Sequence, residues 1–106
     1  MRILLDECVP RGLKRLLPGF DLVTTVPEVG LAGFKNGQLL RRITNDFDTL
    51  ITTDKNIQHQ QNLAAYAVAF VLFSAVSNDI SELAPLVPQF LARLDELKPG
   101  TLLIIE

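Results

Sequence analysis

Cysteine occurs once in the 106 residues, at Cys8, so no disulfide can form within the chain. A reducing compartment is expected, and Cys8 reads as a small buried hydrophobe beside the first strand rather than as a reactive thiol. No apolar run is long enough to cross a bilayer. The longest, residues 63–76, has 14 residues with Ser74 among them, against the roughly 18 a spanning helix requires. No signal peptide opens the chain, because a strand and two acids stand there instead. Together these absences predict a cytoplasmic protein with no membrane partner. Positive charge is not in excess either: the formal net charge is −2, which argues against broad electrostatic attraction to nucleic acid. The cations are unevenly spread, however. Eight of the ten Lys and Arg fall in the first 55 residues, which allows a local basic surface. Repeats, linkers and low-complexity segments are lacking, and the length suits one domain over residues 1–106.

What is present is an alternation of strand and helix signals. Ile3-Leu4-Leu5 is apolar throughout, like a strand covered on both faces in the middle of a parallel sheet, and it runs directly into Asp6-Glu7. A helix is expected from Pro10, with Leu13, Leu16 and Leu17 inward and Arg11, Lys14 and Arg15 outward. Residues 21–26 read as a second strand, and a loop holding Gly30, Gly33 and Gly37 follows on the side of the acids. Leu39, Leu40 and Ile43 mark a second helix with Arg41 and Arg42 outward; residues 49–53 form a third strand that ends in Asp54. Residues 55–62 are polar, helical or looped, and residues 67–73 are a buried fourth strand. Asp79 and Glu82 have the spacing of a capping box. The helix they open runs from Leu83 to Leu97, kinked or restarted at Pro85 and Pro88, and residues 102–105 close the chain as a fifth strand. The class is α/β with a mainly parallel five-stranded sheet, the first strand central and the third beside it.

Direction decides which acids share an edge, since catalysis in such sheets sits beyond the carboxyl ends of the strands. Asp6, Glu7 and Asp54 follow their strands; Glu28 and Asp79 follow theirs as outer members. Asp48 precedes the third strand and is expected roughly 20 Å from Asp54. Carboxylates gathered without a basic partner repel one another and hold a divalent cation, and an all-oxygen site suits Mg²⁺ or Mn²⁺. Thr52 and Thr53 are placed to orient a carboxylate. The competing reading is structural, with Asp6 and Asp54 as helix caps. His59, the one histidine, reads as a surface residue in a polar segment before it reads as a general base.

The succession Leu4-Leu5-Asp6-Glu7, Gly30-Leu31-x-Gly33 and Ile51-Thr52-x-Asp54 resembles the small bacterial PIN-like proteins, relatives of PIN-domain nucleases often paired with an antitoxin. Lys35-Asn36-Gly37-Gln38-Leu39-Leu40 and Gln60-Gln61-Asn62 are similar to one branch of that family. The resemblance implies a three-layer α/β/α PIN-like fold and metal-dependent cleavage of RNA by the toxin of a toxin–antitoxin pair. It puts the family's first-strand acid on Asp6 and its Thr-x-Asp motif on Thr52 and Asp54. On that basis Asp6, Glu7, Thr52 and Asp54 are the expected catalytic residues, and Asp6, Asp54, Glu7 and Asn36 the ligands of Mg²⁺ or Mn²⁺. The cation would activate a water and neutralise charge on the scissile phosphate. Arg11, Lys35, Lys55 and Gln61 would contact the RNA. The expected partners are single-stranded or structured RNA, a cognate antitoxin and a second copy of the chain. Relatives carry an acid where this chain has Asn36 and Gln38, which would weaken the metal site.

Two other classes compete. A phosphoacceptor receiver domain also has an acid pair after strand one, an Asp after strand three and a hydroxyl after strand four, here Ser74. It needs a Lys after strand five, where only Glu106 stands, and Lys55-Asn56 replaces the usual Met-Pro. The third class is a non-catalytic module that binds nucleic acid or protein.

Overall fold

The computed structural model describes residues 1–34, 36–59 and 62–106, with Asn36 described by its backbone alone. Five strands make one sheet: β1 (Arg2–Leu5), β2 (Leu22–Thr25), β3 (Thr49–Thr52), β4 (Ala69–Phe73) and β5 (Leu102–Ile105). Their order is β2-β1-β3-β4-β5 and every pairing is parallel. β1 is thus internal with β3 at its side, as expected, and every residue of β3 is buried. Ile3, Leu4 and Leu5 are each fully buried, because helices cover both faces. Burying one such side chain contributes about 1.5–3 kcal/mol.

Alternation along the strands sorts the core into two layers. Ile3, Leu5, Ile51, Val71, Phe73 and Ile105 meet Leu13 and Leu17 of the first crossover and Leu83, Leu86 and Phe90 of the last. Phe73 and Phe90 pack edge to face, 5.7 Å between centroids. Leu4, Leu50, Phe70 and Leu72 point the other way, onto Leu39, Leu40 and Ile43 of helix α1 (Asn36–Ile43) and onto Ile57. The result is three layers, α/β/α.

The hand of the crossovers holds a surprise. The step β1→β2 runs one way along the sheet and the other three steps run the opposite way. Yet the connections β1→β2 and β4→β5 pack on the same face, while β2→β3 and β3→β4 pack on the other. The β4→β5 connection therefore has the hand opposite to its three companions. Crossovers are right-handed in about 98% of cases, so this one is the exception.

That connection also corrects the expected long helix. It is broken into α2 (Ile80–Leu83), a 3-10 turn (Ala84–Leu86), α3 (Val87–Leu91) and a second 3-10 turn (Leu94–Glu96). Pro85 and Pro88 have no N–H for the next helical bond, so each restarts the chain. The capping box does not form: Asp79 is the N-cap residue of α2 but makes no side-chain cap bond, and its own N–H donates to the Ser77 hydroxyl. The first helix is a 3-10 helix (Arg11–Leu16) with Pro10 as its N-cap rather than its first turn. Lys55–His59 is likewise 3-10, with His59 exposed at its end.

At the open edge of β5, Arg93 donates to the Ile104 carbonyl at 3.4 Å while gripping Glu96 with two bonds of 2.8 and 2.9 Å. Among the described residues no buried side-chain nitrogen or oxygen lacks a partner, and no helix is long and apolar enough to cross a membrane.

Candidate functional site

β1 and β3 are neighbours whose outgoing connections diverge, β1 toward β2 over one face and β3 toward β4 over the other. A crevice opens at such a point beyond the strand ends. The register pairs Leu5 with Ile51, which sets Asp6 level with Thr52, and the ladder continues one step further as the Asp6 N–H donates to the Ile51 carbonyl at 2.9 Å.

Thr52 is the hub. Its side chain is buried, and its hydroxyl donates to Asp6 Oδ2 at 2.8 Å while accepting from the Asp54 N–H at 3.1 Å. One hydroxyl thus fixes the first acid and the backbone that carries the second. Asp6 Oδ1 accepts from the Glu7 N–H at 2.9 Å. Asp54 is exposed, and its Oδ1 accepts from the Asn56 N–H at 3.0 Å, capping the 3-10 helix that follows. The capping role expected of Asp54 is therefore real. For Asp6 it is not, because its carboxylate serves Thr52 and the turn into Glu7, while the 3-10 helix starts five residues later, at Arg11.

Cys8 lies in this network, half-buried, with Sγ 3.4 Å from the Thr52 hydroxyl and 3.9 Å from Asp6 Oδ2. Its carbonyl accepts from Asn78 Nδ2 at 2.9 Å. Cys8, Thr53, Asp54, Lys55 and residues 75–78 line a cleft of about 490 Å³, and Lys55 stands exposed on it. Sequence reasoning passed over Asn78, yet the rule that selected Asp79, following β4, would have admitted it too.

Glu7 turns away from Thr52. It accepts from the Gly33 N–H at 3.3 Å, which brings the glycine loop to the acids' side as expected. With Val9, Arg11, Thr25, Pro27 and Glu28 it lines a second cleft of about 370 Å³. Glu28 does not reach Asp6 as an outer ligand in any bond seen here: it accepts from Lys14 Nζ at 3.0 and 3.1 Å, and from the N–H and hydroxyl of Thr25. Asp48 sits at the opposite end of the sheet, accepting from the Arg2 N–H. Lys35 and Gln61 lie outside the described residues, as does the side chain of Asn36. Among the described residues no three of His, Cys, Asp and Glu are grouped for a metal. Asp54 lies two residues beyond the level of Asp6, up to about 7 Å along the strand. No family's sequence model, no curated protein and no solved structure matches the chain.

Two measurable consequences follow from these bonds. Lys14 first, and Thr25 second, hold the Glu28 carboxyl below its ordinary value of 4.5. A depressed folded-state pKa gives stability that is in place above the ordinary value and lost as pH falls through the lowered one. Glu28→Gln is expected to shrink the drop in urea midpoint between neutral and acid pH; an equal drop in both proteins would show that the pair contributes nothing. For Thr52, replacement by Val removes the donor to Asp6 and strands the Asp54 N–H, a loss of about 1–3 kcal/mol. Thr52→Ser keeps the hydroxyl and should restore most of the melting temperature.

Proposed function

We propose that this chain is a PIN-like, metal-dependent ribonuclease whose reaction takes place at the crevice between β1 and β3. The observation that carries the reading is the Thr52 hydroxyl, which joins Asp6 to the backbone of Asp54 at the point where the two connections part. Support also comes from two cations on neighbouring clefts, Lys55 sharing one with Asp54 and Arg11 sharing the other with Glu7. For the toxin role and an antitoxin partner the support is the family resemblance.

The donor set fits a hard cation of one kind. Asp6 and Asp54 offer oxygen only, each carboxylate has more acceptor sites than its bonds use, and Asp54 is open to solvent. That is too little for an all-protein cage. It suits Mg²⁺ or Mn²⁺, which bind through one or two carboxylates completed by water and by the substrate's phosphate. A cation held by Asp6 and Asp54 would supply positive charge to the phosphate and acidity to a nucleophilic water. The chain's own residues do the rest: Thr52 holds the Asp6 carboxylate in one orientation, Asp54 is fixed at the start of its 3-10 helix, and the flanking cations seat neighbouring phosphates.

Against a receiver domain stands the last crossover. The strand order β2-β1-β3-β4-β5 is shared with doubly wound receiver-type sheets, but uniformly right-handed crossovers would put the β4→β5 connection on the face of α1. The non-catalytic reading is favoured by one observation, the missing third acid among the described residues. The test is cleavage of a labelled single-stranded RNA at fixed salt while Mn²⁺ is titrated. Cleavage that saturates with Mn²⁺ and stops on chelation is the expected result. RNA bound but left intact over the whole range of Mn²⁺ and Mg²⁺ would replace the nuclease by a binding module.

A further inference from the structure

A 3-10 helix repeats every three residues, so the helix Arg11–Leu16 presents three rows. Leu13 and Leu16 form the row that enters the core. Arg11 and Lys14 stack in the second row, Gly12 and Arg15 in the third. Arg11, Gly12, Lys14 and Arg15 line, together with Glu28, a cleft of about 570 Å³. The cleft that reaches Glu7 shares Arg11 and Glu28 with it, so the two adjoin and run from Arg15 to Glu7.

The charges in this groove are unequally committed. Lys14 is held by Glu28. Arg11 and Arg15 are exposed and, among the described residues, enter no ion pair. Glu28 itself is anchored from behind by Thr25, so one carboxylate stands fixed beside three cations, in the position of an internal anion. Guanidinium forks match phosphate oxygens in two-point geometry. A phosphodiester strand brings one charge per nucleotide, and two uncommitted guanidinium groups stand along the groove to take successive charges.

We infer that this groove is a phosphate track for single-stranded nucleic acid, gripped by Arg11 and Arg15 and weakened by Glu28, which neutralises Lys14. It rests on the ribonuclease reading for what lies at its end. The track is short and the protein is acidic, so binding depends on a few contacts rather than on a broad field.

The test measures binding of labelled oligouridylate and oligoadenylate by anisotropy, in chelator so that no cleavage intervenes. Salt is varied between about 50 and 200 mM for the wild type, Arg11→Ala/Arg15→Ala and Glu28→Gln. Each phosphate contact on a single strand contributes about 0.7 to the slope of log K against log salt. The double variant should weaken binding equally for both oligonucleotides and flatten the slope by about 1.4. Both arginines are exposed, so its melting temperature should stay near the wild type's. Glu28→Gln frees Lys14 and should tighten binding, steepening the slope by up to about 0.7. An unchanged slope in the double variant overturns the track, and an unchanged affinity in Glu28→Gln overturns the part given to Glu28. Polyglutamate that competes as well as the oligonucleotide overturns the choice of partner. Cleavage with Mn²⁺ but no slope change sinks the track alone, and a slope change without cleavage at any Mn²⁺ concentration sinks the ribonuclease reading alone.

Discussion

Asp6→Asn and Asp54→Asn are each expected to lower Mn²⁺-dependent RNA cleavage by at least about 100-fold, since even partners one shell outside a metal's ligands cost 10–100-fold when changed. Both substitutions keep the shape of the side chain and remove the charge on which the proposed cation site depends. The fold should survive them. In Asp6→Asn the single amide oxygen can take over only one of two bonds now made by separate carboxylate oxygens. Kept on the Glu7 N–H, it turns Nδ2 toward the Thr52 hydroxyl, which then accepts instead of donating, a loss of about 1–3 kcal/mol. Asp54→Asn can keep the cap on the 3-10 helix, because Asn caps about as well as Asp. Calorimetric titration with Mn²⁺ separates the two roles: heat of binding should vanish in both variants while each still unfolds in a single cooperative transition. If both variants bind Mn²⁺ as the wild type does, the cation is held elsewhere and the site assignment is wrong.

The largest effect on stability is expected at Gly100. Its φ is +79°, a conformation side chains avoid, and a Cβ added there would stand 2.9 Å from the Ala64 Cα. That neighbour is backbone, so it cannot swing aside. Strain in φ costs about 1–3 kcal/mol and overpacking about as much again. Gly100→Ala should therefore lose roughly 3 kcal/mol or more, a fall in melting temperature on the order of 12–20 °C. Gly19 supplies the control. It has φ +89° with nothing within 4 Å of an added Cβ, so Gly19→Ala reports the strain without the crowding. Equal losses at the two positions would mean that the segment around Ala64 yields.

The centre of this fold is legible in the residues because it depends on local pattern. Ile3-Leu4-Leu5 and Thr49–Thr52 are covered on both faces, and strands of that kind show no alternation of apolar with charged residues. Once they are taken as parallel neighbours, Asp6 and Asp54 fall on one edge and Asp48 on the other, without any knowledge of the loops. The breaks in the β4→β5 connection were half legible, since Pro85 and Pro88 announce an interruption but not how many pieces result. Its hand was not legible at all. An amphipathic segment records which of its own sides is apolar, and says nothing of which face of the sheet it will cover. Asn78 illustrates the same limit, bonding to a carbonyl 70 residues earlier in the chain. Asp79 misled for the opposite reason: the local signal for a cap was present, and the chain spent the Asp79 N–H on Ser77 instead.

The grip of Arg93 on Ile104 bears on how the molecule behaves in company. β5 is the sequence Leu-Leu-Ile-Ile at an open sheet margin, and strands that are apolar, uncharged and free of proline are templates for cross-β growth. The Ile104 carbonyl faces outward, because Thr101 and Ile105 turn theirs toward β4. By seating a charged fork on that carbonyl and locking it with Glu96, the chain sets a gatekeeper at the place where an incoming strand would begin to pair. The same two side chains that look like an ordinary surface ion pair thereby occupy an acceptor that an incoming strand would need.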